Sequence, residues 1–289
     1  TFGIFGTIWR IFTVEKPVSE INEVLLKIKK GDLASKLSRR RYLSRYSTMV
    51  HNINLIASEL SSIDNLKVSL MSNVSHELKT PIALIQGYAE GLNENISDDP
   101  ESREFYCEVI MDEASKMNKL VKNLLTLNQL ESGKDAPVME RFDIVSLIRG
   151  VLGSMHIMIE QKEATVIFEE TEPVYVWADE FKIEEVVTNY TSNALNHLDG
   201  ERKVEIKVLQ EEDCVKVTVF NTGTPIPEED IPNLWNKFYK VDKARTREYG
   251  GSGIGLSIVK AIIESMNQKY GVCNYDNGVE FWFTLDCRQ

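Results

Sequence analysis

The sequence predicts a multidomain protein of α and α+β class, in which helical segments precede a helix-and-sheet domain. Its 289 residues, 43% of them apolar and 27% charged, are enough for more than one globular domain. Up to about residue 133, apolar residues recur at spacings of three and four, which is the period of a helix. From about residue 140, several segments alternate or run apolar as strands do.

Charge separates the first sixty residues from the rest of the chain. Residues 1–60 contain ten Lys/Arg and five Asp/Glu, a net charge of +5, so the remaining 229 residues carry −16 of the total of −11. This acidic body argues against nucleic acid as a partner, because general nucleic-acid binding requires a basic surface. The basic head suggests an anionic neighbour such as lipid headgroups.

The first element, residues 1–12, is an apolar run interrupted only by Arg10. As a helix it reaches about 18 Å, which is short of a hydrocarbon core of ~30 Å. It is either the end of a transmembrane helix, followed by the positive-inside residues Arg10 and Lys16, or an interfacial or buried helix. We expect residues 1–12 to be the end of a transmembrane helix. This places the protein at the cell membrane with its other domains on the cytoplasmic side.

Residues 13–62 are predicted to form two short helices joined by a connector. Pro17 can occupy a helix start, and Gly31 followed by Asp32 ends that helix. The apolar positions of the first helix are Val18, Ile21, Leu25 and Ile28. The connector contains a cluster of cations that would attract anionic lipid near a membrane: Lys36, Arg39, Arg40, Arg41 and Arg45.

Residues 63–134 are predicted to be a helical hairpin, whose first helix already begins near residue 50. The heptad positions are Ile53, Ile56, Leu60 and Ile63, with a slip at Leu66 and Leu70, and then Ile110, Ala114, Met117, Val121 and Leu124. A polar loop containing Pro100 joins the two helices. Because such a seam needs a partner, the sequence predicts a homodimer built on a four-helix bundle.

Residues 140–287 are predicted to be a separate α/β domain, reached through a linker at residues 131–137. The expected strands are Thr165–Glu169, Val174–Trp177, Lys203–Leu209, Cys214–Phe220 and Val279–Leu285. Helical patterns occur at about 143–161, 180–197 and 254–266.

A glycine cluster, GGSGIG at residues 250–255, precedes the last of these helices. Glycines let a backbone approach a polyphosphate closely, and a helix N-terminus offers free N–H groups and a positive dipole end. The alternative is a flexible turn before a helix. A dinucleotide-binding fingerprint is excluded because charged residues, and not a strand, precede the glycines, and the sequence has no P-loop or protein-kinase motif.

Two asparagines form a second candidate cluster. Asn189 and Asn193 are four residues apart and therefore share one face of the predicted helix. An amide oxygen suits a magnesium ion that phosphates have already neutralised. Two asparagines on a helix are common, so this cluster gains weight only together with the glycines.

The third cluster is SHELKTP at residues 75–81 of the first hairpin helix. Glu77 follows His76 and could keep one ring nitrogen protonated, which leaves the other free as a nucleophile. Thr80 lies one turn further on the same face. Pro81 is expected to kink the helix beside the histidine.

Four segments, SHELKTP, NYTSNA, FNTG and GGSGIGLSIV, resemble in order and spacing the H, N, G1 and G2 boxes of bacterial two-component sensor histidine kinases. The resemblance covers nearly the whole chain, and residues 13–62 are similar to a HAMP signal relay. It implies HAMP-like helices, a dimerisation and histidine phosphotransfer hairpin at 63–134, and an ATP-binding α/β sandwich of the Bergerat type at 140–287.

The resemblance also implies roles for individual residues. His76 would accept a phosphoryl group from ATP and pass it to a response-regulator aspartate, with Glu77 as orienting base. Thr80 would position water for the reverse, phosphatase reaction, and Asn193 would hold Mg²⁺. The other nucleotide-binding residues, some of them in a lid at residues 224–250, would be Asn189, Asn221, Gly223, Phe238, Tyr239, Lys240, Gly251, Gly253 and Gly255.

Four positions depart from the family pattern. Asn221 stands where Asp is common, although its carbonyl oxygen can still accept a hydrogen bond from an adenine amino group. Asn196 and His197 stand where a basic residue and an aromatic residue are frequent. Lys240 replaces a frequent Arg and offers a point charge instead of a planar fork. We therefore expect an active kinase with modest nucleotide affinity.

Two other functions share features with this sequence. Gyrase and chaperone ATPases share the ATP-binding fold but carry a Glu one turn before the magnesium Asn. Here Asn189 occupies that position, and an amide cannot act as a general base, so the kinase is favoured. The alternative within the family is a non-catalytic or weakly active membrane signalling relay of the same fold, which loss of ATP binding in an intact dimer would support.

Overall fold

The computed structural model describes residues 2–38, 44–94, 99–133, 135–169, 172–241 and 252–287. The chain divides into two units, Thr1–His76 and Glu77–Gln289, which are described in turn.

The N-terminal unit is helical. It contains α1 (Phe2–Arg10), a π-helical turn (Ile11–Glu15), α2 (Lys16–Lys29) and the first part of α3 (Ser44–Asn93). Gly31 adopts a φ of +91° just after α2, so the predicted end of this helix is confirmed. Pro17 lies in the first turn of α2, but the residues before it are also helical, so the helix does not begin there as predicted. Within the described ranges, no helix is both long enough and apolar enough to cross a bilayer.

A small core joins α2, the connector and α3 within this unit. Its buried side chains are Ile21, Leu37, Val50 and Ile53. Asn54 adds two hydrogen bonds: its Oδ1 accepts from Leu37 N at 2.9 Å, and its Nδ2 donates to Leu37 O at 2.8 Å. Of the predicted connector cations, Arg39, Arg40, Arg41 and the Arg45 side chain lie outside the described residues.

The second unit begins with the hairpin formed by the rest of α3 and by α4 (Pro100–Glu131). Asp99 caps α4, because its side chain accepts a hydrogen bond from Ser102 N at 2.8 Å. A Cβ at Gly91 would lie 2.7 Å from the Tyr106 ring, so glycine allows the two helices to approach. The α3 helix continues through Pro81 to Asn93, and the proline does not end it.

The α4 helix has two apolar stripes, of which the heptad analysis identified one. Leu120, Leu127 and Leu130 are buried in the core of the following domain. The predicted seam residues are more accessible in the single chain, and Val121 is 43% exposed. The hairpin therefore packs on the α/β domain mainly with one stripe and leaves part of the other accessible.

A mixed sheet forms the centre of the α/β domain. Its strands are β1 (Glu140–Asp143), β2 (Thr165–Phe168), β3 (Tyr175–Ala178), β4 (Lys203–Gln210), β5 (Cys214–Thr222), β6 (Tyr270–Tyr275) and β7 (Gly278–Asp286). The order is β1-β3-β7-β5-β4-β2, with β6 also on β7, and only the β2–β4 pairing is parallel among these strands. Its helices are α5 (Ile144–Ser154), α6 (His156–Gln161), α7 (Glu180–Asn196) and α8 (Gly255–Ser265).

The five predicted strands are confirmed, with ends that move by one or two residues. The helix predicted at about 143–161 is divided into α5 and α6 at Met155. Two strands, β1 and β6, were not predicted, because ERFD and YGVCNY show no apolar alternation.

The linker is tied to the start of α7. Asp179 caps this helix by accepting a hydrogen bond from Lys182 N at 3.1 Å, and its other carboxylate oxygen accepts from Val138 N at 2.8 Å. The Lys182 ammonium also pairs with Asp135 at 3.2 Å. The side chain that begins the asparagine-bearing helix thus also fixes the entry into the domain.

Candidate functional site

The two asparagines lie half-buried at the edge of the buried face of α7. That face is apolar, with Ile183, Val186 and Tyr190 in the core. Asn189 Nδ2 donates to the Glu185 carbonyl at 2.9 Å, which fixes the direction of its Oδ1. Asn193 is half-buried, and its side chain has no hydrogen-bond partner among the described residues. Its amide oxygen is therefore available to an external ligand.

Asn189 also sets how closely α8 can approach α7. A Cβ at Gly255 would lie 2.7 Å from Asn189 Oδ1, which is closer than a side chain tolerates. Because Gly255 is the first residue of α8, this contact brings the N-terminus of that helix to the asparagine face. The N–H groups of a helix N-terminus favour an anion such as a phosphate.

Asn221 is buried at the end of β5, with 2% of its surface exposed. Its Nδ2 donates to the His197 and Thr222 carbonyls at 3.4 and 3.2 Å. This leaves its Oδ1 without a donor among the described residues, so the acceptor that an adenine amino group requires is preserved. A Cβ at Gly223 would lie 2.6 Å from the His197 carbonyl, which explains the glycine.

His197, one of the departures from the family pattern, contacts Asn221 through its backbone. His197 follows α7, and its carbonyl oxygen is the acceptor for Asn221. Any residue supplies that carbonyl, so this contact does not depend on the side chain found at position 197.

Phe238 of the lid contacts Gly253, which lies three residues after the predicted end of the lid. Phe238 N donates to Gly253 O at 2.8 Å. A Cβ at Gly253, whose φ is +69°, would lie 2.9 Å from the Phe238 backbone. Phe238 itself adopts a φ of +61°, a strained conformation for an aromatic residue, while its ring packs against the core.

Tyr239 is held by a carboxylate on the same lid segment. Its hydroxyl donates to Asp230 at 2.5 Å, and this hydrogen bond raises the pKa of Tyr239. The phenol therefore stays protonated at neutral pH and acts as a donor.

Lys240 contacts the hairpin and not a lid neighbour. Its ammonium donates to Glu77 at 2.8 Å, in a pair whose side chains are 14% and 32% exposed. Lys237 makes a parallel contact with Glu131 at 2.6 Å. Lid cations thus reach carboxylates on both hairpin helices, and one of these carboxylates directly follows His76 in the sequence.

The remaining predicted residues are placed as follows. His76 and Thr80 are exposed positions of α3, which leaves the imidazole and the hydroxyl accessible. Gly251 lies outside the described residues, as do Lys243, Arg245 and Arg247 of the predicted lid.

Sequence reasoning missed the hairpin that supports Asn221. A Cβ at Gly278 would lie 2.1 Å from the Asn221 carbonyl, so β7 approaches β5 closely only because this residue is glycine. Gly223 N donates to Asn277 O at 3.0 Å. The Asp-Asn-Gly signal at 276–278 is typical of a hairpin turn and could have identified it.

A half-buried carboxylic acid, Glu185, lies one turn before Asn189. Burial raises the pKa of Glu185, and the charge of Lys122 on α4 opposes that shift. Its backbone carbonyl holds Asn189, so the residue belongs to the frame of the site.

Together these groups suit a nucleoside triphosphate as the ligand of the site. The amide oxygen of Asn221 can accept from a base, a helix N-terminus faces the asparagines, and lysines lie on the adjoining lid. The donor set at Asn193 also fits magnesium, which prefers oxygen ligands and takes few of them from protein when phosphates supply the rest.

Two family models match the chain. Residues 66–133 match the His Kinase A (phospho-acceptor) domain, and residues 178–289 match the histidine kinase-, DNA gyrase B- and HSP90-like ATPase. The first match covers the hairpin with His76, and the second covers the residues around Asn193, Asn221 and Gly253.

Known proteins give a consistent result. The sensor protein kinase WalK of Staphylococcus epidermidis is 28% identical over 272 residues, which are 93% of this chain and 44% of that protein. The chain therefore spans less than half the length of this relative.

Solved structures agree with this likeness. The histidine kinase ThkA, in complex with the response regulator protein TrrA, is similar with a TM-score of 0.63 and 29% identity, over 76% of this chain and 61% of that one. The Acinetobacter baumannii histidine kinase AdeS shares the fold, with a TM-score of 0.62 and 22% identity over 74% of this chain and 98% of that one. With its phosphoacceptor hairpin, its ATP-binding domain and the order of its four boxes, the chain belongs to the two-component sensor histidine kinases.

Proposed function

We propose that this chain is an ATP-dependent protein-histidine kinase that phosphorylates His76 and passes the phosphoryl group to a response-regulator aspartate. The observation that carries the proposal is the 2.8 Å contact between Lys240 and Glu77. It joins the lid of the nucleotide site to the residue next to the phosphoacceptor. The structural likeness to ThkA and the two family matches support the same reaction.

In the first step, one ring nitrogen of His76 attacks the γ-phosphorus of ATP. An N–P bond forms, the bond from the γ-phosphorus to its bridging oxygen breaks, and ADP leaves with that electron pair. The Glu77 carboxylate holds the proton on the other ring nitrogen and balances the positive charge that develops on the imidazole. The second step transfers the phosphoryl group to an aspartate carboxylate and restores the neutral histidine.

The remaining residues bind and position the nucleotide. Asn221 accepts from the adenine amino group, and the α8 N-terminus at Gly255 faces the phosphates. Asn193, with Asn189 beside it, would hold Mg²⁺ against the phosphate oxygens. When bound, this ion neutralises charge on the triphosphate, which is the main requirement of phosphoryl transfer.

We also propose a phosphatase activity and a dimeric state. The exposed Thr80 hydroxyl lies one helical turn after His76 in sequence and could position water against a phosphorylated aspartate. Apolar residues left accessible on the hairpin, such as Ile82, Leu84 and Val121, support a homodimeric bundle. The solved complex of ThkA with TrrA supports a response regulator as the other partner.

A membrane contact is proposed for the N-terminal segment. Ile4, Trp9 and Phe12 are 63–70% exposed, which is unusual for large apolar side chains unless they meet lipid or protein. The net charge of +5 in residues 1–60 favours the anionic cytoplasmic leaflet. Sedimentation with anionic and with neutral vesicles tests this, and equal recovery with both would contradict the charge argument.

The kinase proposal is tested by incubating the chain with γ-labelled ATP and Mg²⁺. A label that is acid-labile and alkali-stable is expected, and it should vanish in His76→Gln and Asn193→Ala. Nucleotide binding should persist in His76→Gln and weaken in Asn193→Ala. Binding without any label would favour the non-catalytic relay, and a label that persists in His76→Gln would refute the assigned phosphoacceptor.

A further inference from the structure

The lid begins with a segment that has little hydrogen-bonding capacity of its own. Residues 224–228 read Thr-Pro-Ile-Pro-Glu. Proline has a fixed φ and no N–H, and it forces the residue before it into an extended conformation. Within residues 225–227, Ile226 therefore supplies the one backbone donor. The segment is stiff, but its direction depends on what holds Ile226.

Asn274 holds both backbone groups of that residue. Its Oδ1 accepts from Ile226 N at 3.0 Å, and its Nδ2 donates to Ile226 O at 2.7 Å. One side-chain amide thus replaces the pair of bonds that a neighbouring strand would make. Asn274 is half-buried on β6, opposite Val279 of β7.

The strand that carries Asn274 is itself fixed to the nucleotide site. Gly278 lies directly against the Asn221 carbonyl, and the Phe220 and Tyr275 rings meet edge to face at 5.7 Å. The same hairpin accepts the Gly223 N–H through Asn277. The β6–β7 hairpin therefore contacts the adenine-site strand and the first residues of the lid at once.

We propose that Asn274 is a positioning residue for the lid. It fixes the point at which the lid leaves the adenine site, and so determines where Phe238, Tyr239 and Lys240 come to lie over the phosphates. This role deepens the proposed kinase function and rests on it. Because Asn274 itself touches no nucleotide group in this scheme, it acts through Ile226 and is not a catalytic residue.

The test compares Asn274→Ala and Asn274→Asp with the unsubstituted chain. The alanine variant loses both bonds, whereas the aspartate variant keeps an acceptor for Ile226 N–H but sets an oxygen against the Ile226 carbonyl. Asn277→Ala is the matched control, because it lies on the same hairpin and contributes its backbone carbonyl, which the substitution retains.

Two readouts are measured on folded protein, as checked by thermal unfolding. Hydrogen exchange of peptides covering residues 223–228, without nucleotide, should accelerate in both Asn274 variants and not in the control. Binding of a non-hydrolysable ATP analogue with Mg²⁺ should weaken about five- to thirtyfold in Asn274→Ala, because the start of the lid is then no longer held in the position that serves the phosphates, while adenosine binding changes less than about twofold.

Unchanged exchange would overturn the proposal, and so would an equal loss of affinity for adenosine and for the ATP analogue, which indicates a merely structural role. If the unsubstituted chain bound no nucleotide, the proposed kinase function would fail instead. The exchange comparison would then still decide whether Asn274 holds the start of the lid.

Discussion

At the proposed nucleotide site, Asn189 and Asn221 are each held by one polar atom of the side-chain amide, and the other polar atom is left for a ligand. Asn189 and Asn221 each use Nδ2 to bond a backbone carbonyl, so Oδ1 points elsewhere. This arrangement matters at Asn221, where an aspartate would present a charge to the same carbonyls. An amide satisfies the buried carbonyls and keeps the acceptor, which is a physical reason for Asn at this position.

Glu185 lowers the free energy of unfolding by an amount that depends on pH. Because burial raises its folded-state pKa above the ordinary value of 4.5, the folded state binds this proton more tightly than the unfolded state. The ionised form therefore destabilises the fold at neutral pH. Glu185→Gln should raise the free energy of unfolding at pH 7 by about 0.5 kcal/mol, and the gain should disappear as the pH falls towards 4.5.

Urea unfolding at pH 7 and at pH 4.5 checks this, with Glu184→Gln as a control that removes the same charge from the exposed neighbouring position. A gain that is equal at the two pH values, or equal in the control, would contradict the account.

The residues proposed to meet the nucleotide could be chosen from sequence, whereas the residues that hold them in place could not. The Asn193, Asn221 and Gly253 positions lie in short motifs with fixed spacing. Their supports come from distant parts of the chain: Asn274 lies 48 residues after Ile226. Such contacts follow from strand pairing, and β6 has no apolar alternation by which to predict it.

At the scale of elements, helix caps determine where the parts of the domain begin. The Asp143 carboxylate accepts four hydrogen bonds at 2.6–3.3 Å, from Val145 N, Ser146 N, Ser146 Oγ and Val174 N. It starts α5 and also ties the strand before α5 to the segment before β3. The same device recurs at Asp179, which starts α7 and holds the linker.

Asp143→Ala should lower the free energy of unfolding by about 1–2 kcal/mol at pH 7, because the α5 cap and the bond to Val174 are both lost. Burial alone would raise the pKa of Asp143, but the hydrogen bonds from Ser146, Val174 and Val145 lower it overall. The ionised cap thus stabilises the fold at pH values above the ordinary aspartate pKa of 3.8, and this contribution is lost as the pH falls below 3.8.

Chemical denaturation of Asp143→Ala and of Asp276→Ala, an exposed turn aspartate, measures this effect. Equal losses in the two variants would show that the cap has no special role. A loss in Asp143→Ala that persists unchanged below pH 3.8 would contradict the charge argument.

The lid and the hairpin compete for one cation. Lys240 pairs with Glu77 in this structure, and the proposed mechanism also needs it near the phosphates. Glu77→Gln should therefore reduce labelling of His76 at least about a hundredfold, through loss of the orienting base, yet tighten binding of an ATP analogue about two- to threefold.

Titration calorimetry and labelling separate these two effects. Glu90→Gln, an exposed substitution further along the same helix, should change neither. Weaker nucleotide binding in Glu77→Gln would mean that Lys240 does not serve the phosphates.

At the scale of the whole molecule, the accessible stripe of the hairpin is the main apolar surface left for a partner. Leu120, Leu127 and Leu130 are already covered by the α/β domain. Of the heptad positions identified from sequence, Ala114 and Val121 stay exposed, whereas Leu124 packs partly against the α/β core and Ile53 is buried in the N-terminal unit. The exposed positions are consistent with a second copy of the chain as their partner.

Val121→Glu should convert the dimer into monomers, because it places a charge in the apolar seam. Sedimentation velocity should show at least about a tenfold increase in the dimer dissociation constant. Ser115→Glu introduces the same charge at an exposed position outside the seam and should leave the dimer intact. An unchanged Val121→Glu dimer would move the interface to another face.

Peptide mapping shows directly whether His76 receives the phosphoryl group of ATP. The chain has four histidines, His51, His76, His156 and His197, so the modified residue can be identified without ambiguity. After incubation with ATP and Mg²⁺ and digestion at alkaline pH, the phosphoryl group should be found on His76. A phosphoryl group on another residue, or none in a chain that binds ATP, would contradict the account.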